Sequence, residues 1–195
     1  MNLVKDEMVK REILTQAQDL FKQYGLKKTT MDEIAAACGK AKSTLYHYYK
    51  SKEEVFNSVI DMELKNLRII IKEKVDAVKS IKEKIEMYLL IYHQEILKKI
   101  NLYRIVKHEM VSLAYAQEQF SKVMNYEKSY ITRILEDGYD VGEFTLIEKD
   151  EIPWFAEILL AAFFGIVGYS IEKNQNFDTK KMKSAIQLLL PKLFT

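Results

Sequence analysis

The chain has few of the residues that interrupt helices or link segments covalently. Its 195 residues include six glycines, two prolines and one cysteine, Cys38. Because glycine and proline are the strongest helix breakers, their scarcity favours helices along most of the chain. A single cysteine allows no internal disulfide and no cysteine-rich metal site. We therefore interpret Cys38 as a small buried hydrophobic residue in a reducing compartment.

The sequence also lacks the basic excess that would identify a nucleic-acid-binding protein by charge alone. The net charge is +2, with 30 basic and 28 acidic residues. The excess lies in the N-terminal third, where ten Lys and Arg residues stand against eight Asp and Glu residues up to Ile60. Lys40, Lys42, Lys50 and Lys52 have no acidic residue between them. This cluster predicts a local surface that can neutralise phosphates.

Only one long apolar run is present, over residues 152–171. Glu157 lies within it and Pro153 near its start, so we predict a helix buried in a protein interface, with a membrane span as the less favoured alternative. The N-terminal segment carries Asp6 and Glu7 and has no apolar core, which is not typical of a secretory signal. We therefore expect a cytoplasmic protein that does not contact a membrane.

Apolar residues recur at helical spacing, beginning with a first helix predicted from Lys5 to Tyr24. The segments Thr30-Met31-Asp32-Glu33 and Ser51-Lys52-Glu53-Glu54 have the capping-box form that starts a helix. Gly39 can adopt the left-handed conformation of a tight turn, and a short third helix is predicted over residues 42–48. Short helices with such a turn between the second and third follow the helix-turn-helix plan.

The rest of the chain predicts further helices, without the alternating pattern of strands and without a repeat of fixed period. These helices are expected from Ser80, from near Asn101, up to about Asp137 before a loop at residues 138–142, over residues 153–173 and over residues 178–193. We predict an all-α fold of about nine helices, in which a three-helix DNA-binding domain with a helix-turn-helix precedes a larger helical domain.

The predicted third helix has two faces. Leu45, Tyr48 and Tyr49 can anchor it on the first two helices. The side chains left towards solvent can form hydrogen bonds with base edges or pack on a thymine methyl group, as in a recognition helix in a major groove; they are Lys42, Ser43, Thr44, Tyr46 and His47. Thr30 and Lys52 lie at helix N-termini, where backbone amides bind phosphate. The alternative is an ordinary solvated helix face.

A dense pattern of residue types covers the segment from Ile13 to Phe56. Its members are Ala17, Leu20, Phe21, Tyr24, Gly25, Thr30, Ile34, Ala35, Ser43, Thr44, Leu45, Tyr46, Tyr48, Tyr49, Lys52, Glu53, Val55 and Phe56. This pattern resembles the DNA-binding domain of the TetR family of bacterial transcriptional regulators. Two positions depart from it: the family usually has an apolar residue in place of Lys40, and Ser or Thr, which caps the recognition helix, in place of Ala41.

The resemblance implies a DNA-binding domain over residues 1–52 and an effector-binding and dimerisation domain over residues 53–195. It implies a homodimer whose last two helices form a four-helix interface, and a repressor that binds a palindromic double-stranded DNA operator. It also implies a small-molecule effector that changes the spacing of the two DNA-binding domains. The apolar segments at residues 152–171 and 182–193 are themselves too hydrophobic to remain exposed.

The middle helices contain aromatic, histidine and methionine residues that could line an effector pocket or simply fill the core. They are Tyr88, Tyr92, His93, Tyr103, His108, Met110, Tyr115 and Trp154. No metal-binding or phosphate-loop motif is present, and we expect neither an enzyme nor a bound cofactor. A helical adaptor that no longer binds DNA remains an alternative, since Lys40 and Ala41 depart from the family pattern, and a helical enzyme is a less favoured one.

Overall fold

The computed structural model describes residues 2–105, 114–143, 147–172 and 178–190. These residues form nine α-helices and no strand, which confirms the predicted all-α fold. The helices are α1 (Asn2–Lys28), α2 (Met31–Ala37), α3 (Lys42–Tyr48), α4 (Lys52–Asp76), α5 (Ile81–Lys98), α6 (Ile100–Ile105), α7 (Ala114–Asp140), α8 (Ile152–Glu172) and α9 (Thr179–Leu189). A 3-10 turn, Lys149–Glu151, precedes α8.

The chain forms two compact units that divide within α4. The N-terminal unit contains α1, α2, α3, α6 and α4 up to Asn66. The C-terminal unit contains α4 from Leu67 onwards together with α5, α7, α8 and α9. The resemblance implies a boundary after residue 52 between a DNA-binding domain and an effector-binding domain. That boundary stays a prediction.

The core of the N-terminal unit follows from the apolar stripe of α1. Ile13, Ala17 and Phe21 lie on one face of that helix and are fully buried. The ring of Phe21 meets that of Phe56 of α4 edge to face, with centroids 5.0 Å apart. Gly25 has a φ of 82° inside α1, so the main part of the helix ends there. Helix α2 packs against α1, and α3 packs against α2.

The C-terminal unit is built around α5, which packs against α7 and α9, while α7 packs against α8. One face of α5 is buried, because Ile85, Leu89 and Ile96 lie in the core together with Tyr88 and Tyr92 between them. The backbone N–H of Ile81 donates to the Glu143 carboxylate at 2.9 Å, whereas Ser80 makes no side-chain cap. Contacts distant in sequence therefore support the start of this helix.

The predicted end of α7 is wrong by three residues. The helix continues through Gly138 to Asp140, because Gly138 is buried against α5 and does not interrupt the helix. A Cβ atom at this position would lie 2.8 Å from Cγ2 of Ile81, closer than two carbon atoms can pack. The turn comes instead at Gly142, whose φ is 77°. Gly138 thus permits a close approach between helices.

Helix α8 is largely apolar, with the exposed Glu157 as a charged exception, but it is buried on one side only. Ile152, Ala156, Leu160, Phe163 and Val167 face the core. The opposite side leaves large apolar side chains exposed, namely Trp154, Ile158, Ile166 and Tyr169. By length and composition alone, the stretch Lys149–Tyr169 is the one described helical segment that could cross a membrane.

Candidate nucleic-acid interface

The start of α2 is fixed by a reciprocal capping box, as predicted. The backbone N–H of Glu33 donates to the Thr30 hydroxyl at 3.2 Å, and the backbone N–H of Thr30 donates to the Glu33 carboxylate at 2.8 Å. Thr30 is exposed. The capping box satisfies backbone donors of the first helical turn and leaves this end of α2 on the surface.

Gly39 forms the turn between α2 and α3 with a φ of 62°. The N–H of Gly39 and the N–H of Lys40 donate to Ala36 and Ala35 carbonyls at 3.0 Å each, which ends α2 within two residues. An L-residue in this conformation is strained. The predicted role of Gly39 is therefore confirmed.

The two faces of α3 separate largely as predicted. Leu45 and the following Tyr49 are buried, with 1% and 6% of their surface exposed, while Tyr48 is half-buried. Lys42, Ser43, Tyr46 and His47 are exposed, and Thr44 is half-buried. The anchored face thus holds the helix while polar side chains line its outer surface. Their contact with DNA stays a prediction.

The two departures from the family pattern have definite structural consequences. Ala41 is the N-cap residue of α3 and makes no side-chain cap, a loss that costs about 1 kcal/mol where Ser or Thr is the usual residue. The Lys40 ammonium lies 2.8 Å from a carboxylate oxygen of Glu12, and its side chain is only 20% exposed. The hydrogen bond to Glu12 raises the pKa of Lys40. A long-range ion pair therefore occupies the turn.

Lys42, the first residue of α3, is paired within the N-terminal unit. Its ammonium lies 2.7 Å from the Asp32 carboxylate of α2, and this hydrogen bond raises the pKa of Lys42. The ammonium also lies 5.9 Å from the centre of the Tyr46 ring. Both partners of the ion pair are mostly exposed, and such pairs contribute little to stability. A phosphate or a guanine edge can compete for this ammonium.

Lys52 has a structural role that its position in the sequence does not reveal. Its ammonium donates to the carbonyls of Leu26, Lys27 and Thr29 at 2.9, 3.1 and 3.1 Å. These three bonds engage all three of its N–H donors. The phosphate contact predicted for Lys52 stays a prediction, and the backbone N–H groups at the start of α4 are the donors that remain for it.

Two residues of α1 that sequence reasoning missed contact the region of α3. One is Glu12, the partner of Lys40. The other is Asp6, whose carboxylate accepts a 2.9 Å hydrogen bond from the Tyr48 hydroxyl, across 42 positions of sequence. Both pairs join residues that are far apart in the sequence, so no local sequence pattern predicts them.

The predicted effector-pocket residues are distributed over both units and differ in burial. Tyr88, Tyr92 and His93 are buried on α5 in the C-terminal unit. Tyr103 is half-buried on α6 of the N-terminal unit, and Trp154 is 69% exposed on α8. His108 and Met110 lie outside the described residues, and Tyr115 lies on α7 with a side chain that is also outside them. Tyr88, Tyr92 and His93 are thus the residues of this set that the structure shows buried on one helix, and their contact with an effector stays a prediction.

The buried region around Tyr88 contains a carboxylate that the sequence did not single out. Glu127 of α7 is buried and accepts a 2.9 Å hydrogen bond from the Tyr88 hydroxyl, with Nε of Arg68 at 3.4 Å. Burial raises the pKa of Glu127, and burial together with this carboxylate raises that of Tyr88. The pKa of Tyr130, whose ring lies 5.9 Å from that of Tyr88, is raised to about 12, mainly by burial.

Aromatic rings surround this buried polar group. The Tyr92 ring lies 5.8 Å from that of Phe163 and 5.1 Å from that of Phe164, both edge to face. Across the part of the chain that the structure describes, no group of three His, Cys, Asp or Glu side chains could hold a metal ion. The region is an aromatic core that contains the Glu127 carboxylate paired with Tyr88 and Arg68.

Comparison with known proteins found a matching family for the N-terminal unit and relatives that are similar along most of the chain. Residues 13–59 match the family described as bacterial regulatory proteins, tetR family. The chain is 28% identical over 184 residues to the uncharacterized HTH-type transcriptional regulator YhgD of Bacillus subtilis (strain 168), covering 94% of this chain and 95% of the relative. It is 25% identical over 189 residues to the HTH-type transcriptional regulator QacR of Staphylococcus aureus (strain Mu50), covering 93% and 96%.

Solved structures share the whole architecture. The transcriptional regulator FadR from Bacillus subtilis, in complex with stearoyl-CoA, superimposes with a TM-score of 0.75 at 18% identity, covering 92% of this chain and 96% of that one. At this level of identity the similarity concerns the fold. A helix-turn-helix unit followed by a helical C-terminal unit is thus common to the chain and these proteins.

Proposed function

The chain belongs to the tetR family of bacterial transcriptional regulators, and from that premise we propose that it represses transcription as a homodimer on a palindromic operator. A small molecule bound by the C-terminal unit would release it. Membership of the family also confirms the expectation that the chain is not an enzyme. Because the proposed target is a double-stranded DNA operator, the proposal includes a cytoplasmic location.

The observation that supports DNA binding most strongly is the exposed polar face of α3. Lys42, Ser43, Tyr46 and His47 lie outward next to the buried anchors Leu45 and Tyr49. An exposed helix of this chemistry fits a major groove, where its side chains can bind base edges. Thr30 lies at the N-terminus of α2, where a phosphate can accept from backbone N–H groups.

Operator selection tests this assignment. Purified full-length protein is used to select duplexes from random DNA, and Lys42→Ala and Tyr46→Ala are then compared with wild type on the selected operator. We expect each variant to lose about tenfold in affinity, and Lys65→Ala, a control at an exposed lysine of α4, to lose none. Wild-type affinity should fall steeply as salt rises.

Two results would contradict the assignment. If both α3 variants bind the operator as tightly as wild type, then α3 is not the recognition helix. If selection with wild-type protein enriches no duplex, the alternative of a helical adaptor without DNA binding is favoured.

The exposed side of α8 supports a homodimer. Trp154, Ile158, Ile166 and Tyr169 recur along one side of this helix, and Leu188 of α9 is 68% exposed. Soluble monomers rarely expose a contiguous apolar surface of this extent. A two-fold interface would cover the same surface on both protomers. It would also place two α3 helices about 34–36 Å apart, in successive major grooves.

The buried aromatic region of the C-terminal unit supports binding of a small apolar or aromatic effector. Tyr92 lies between Tyr88 and Phe163 in it, and the Glu127 carboxylate that accepts from Tyr88 is a polar group there. Coupling between such a site and the operator is typically worth about 1–3 kcal/mol.

A panel of hydrophobic and aromatic compounds, with stearoyl-CoA as one member, tests the effector site. An effector should raise the melting temperature and reduce operator affinity in the same concentration range. If no compound that stabilises the protein also weakens operator binding, regulation by release is contradicted.

A further inference from the structure

Helix α3 is short and has no side-chain cap. It contains seven residues, and its N-cap residue, Ala41, leaves the first backbone N–H groups without a side-chain acceptor. Isolated helices of this length are not stable in water. Its position must therefore be set by contacts with other helices, beyond the burial of Leu45 and Tyr49.

Two polar contacts from α1 reach the two ends of α3. Glu12 pairs with Lys40, one residue before the N-cap, at 2.8 Å. Asp6 accepts from the Tyr48 hydroxyl, at the last residue of the helix, at 2.9 Å. Asp6 precedes Glu12 while Tyr48 follows Lys40, so one stretch of α1 holds both ends of the recognition helix.

These two carboxylates have the wrong charge for direct contact with DNA phosphates. We propose that Glu12 and Asp6 are positioning residues, which hold α3 in the orientation that brings the face from Lys42 to His47 to the bases while contacting no DNA themselves. The inference rests on the proposed DNA-binding function. It assigns a role to two residues outside the predicted interface.

The proposal and simple electrostatics predict opposite changes in affinity for the operator when one of these carboxylates is removed. Removing a carboxylate near a polyanion reduces repulsion, so charge alone would strengthen binding to every duplex. Loss of positioning would weaken binding to the operator, where base contacts depend on the orientation of α3, and would spare binding to unrelated DNA. The two effects therefore separate when operator and non-operator duplexes are compared.

The test uses full-length Asp6→Ala and Glu12→Ala variants, with Glu7→Ala as the matched control. Glu7 lies on the same helix, carries the same charge and pairs with Lys10 within α1 at 3.4 Å. Alanine lowers the helical propensity at none of these positions. Fluorescence anisotropy at fixed salt measures binding to the operator selected with wild-type protein and to a shuffled duplex of the same composition, and a thermal melt records stability.

We expect Asp6→Ala and Glu12→Ala to bind the operator roughly threefold or more weakly than Glu7→Ala, the loss typical of one exposed polar pair, and the shuffled duplex equally or more tightly. Each residue is judged separately. Behaviour identical to Glu7→Ala on both duplexes overturns its positioning role, and so does equal loss on both duplexes with a lowered melting temperature. A wild-type protein that distinguishes no duplex instead overturns the proposed function itself.

Discussion

The ammonium of Lys52 holds the C-terminal end of α1 against the start of α4. It donates to three carbonyls, those of Leu26, Lys27 and Thr29. Carbonyls at the end of a helix have no partner within it, so a lysine from another helix replaces the usual local cap. This contact supports the segment that leads into α2.

Lys52→Met keeps the aliphatic stem and removes the ammonium. Because three carbonyls lose a charged donor, we expect the free energy of unfolding to fall by about 2 kcal/mol, as measured by urea denaturation. Lys50→Met is the control, since Lys50 is exposed and donates to one carbonyl, that of Tyr46, at 3.2 Å. Equal stability of the two variants, with operator affinity lost only in Lys52→Met, would favour the phosphate role instead.

Protonation of the buried Glu127 carboxylate is coupled to folding. Its pKa is raised by burial, against the opposing effects of Tyr88 and Arg68. The native state therefore holds this proton to higher pH than the unfolded state does. Its contribution to stability is fully present below the ordinary carboxyl pKa and is lost as pH rises through the native value.

Glu127→Gln should remove this pH dependence while keeping an acceptor for the Tyr88 hydroxyl. Urea denaturation from pH 4.5 to neutrality should show wild type losing stability relative to the variant as pH rises, by about 1.4 kcal/mol for each unit of pKa elevation. Parallel curves for the two proteins would contradict a raised pKa at Glu127.

At the scale of elements, α3 is the helix most dependent on its surroundings. Its turn requires Gly39, its N-cap residue lacks a side-chain acceptor, and contacts at both of its ends come from side chains of α1. By contrast, α2 carries its own capping box at Thr30. The helix that contains the predicted DNA-binding face is thus supported mainly through tertiary contacts.

Ala41→Ser should restore the cap that the family pattern usually supplies. We expect the free energy of unfolding to rise by about 1 kcal/mol, because a serine hydroxyl can accept from an early N–H of α3. Ala36→Ser, at an exposed position inside α2, is the control and should be neutral or slightly destabilising. If both substitutions change stability alike, the N-cap of α3 is not a weak point.

At the scale of the whole molecule, α8 connects the core of one chain to its proposed partner. Its buried side packs on α7, and its outer side is equally apolar. If the outer side of α8 packed against the same side of a second copy, the exposed apolar surfaces of both chains would be removed from water. Since two α3 helices are needed for a palindromic site, operator binding should depend on this contact.

Ile158→Glu should separate the proposed dimer into monomers and abolish operator binding, because two carboxylates would be buried at the proposed two-fold interface. Sedimentation equilibrium measures the mass. Ile69→Glu is the control, since Ile69 is 58% exposed on α4 and Ile158 64% exposed on α8. Dimers of normal affinity in Ile158→Glu would rule out this face as the interface.

Much of the fold was predictable because its determinants are local. Periodic apolar residues, the capping box at Thr30 and the positive φ of Gly39 act within a few residues, so the sequence determined the helices and the helix-turn-helix. The outward face of α3 followed from the same periodicity. The prediction of a loop beginning at Gly138 was wrong, because this glycine lies inside α7 and allows close packing against α5, a neighbouring helix.

Only the tertiary structure decided which distant residues meet. Glu12 with Lys40, Asp6 with Tyr48, Lys52 with the end of α1, and Glu127 with Tyr88 each join separate helices. Trp154 likewise proved exposed although its residue type favours burial. Such pairs depend on how helices pack, and packing is a property of several helices at once. The sequence by itself therefore determined which helices form, and the tertiary structure decided what holds α3 in place.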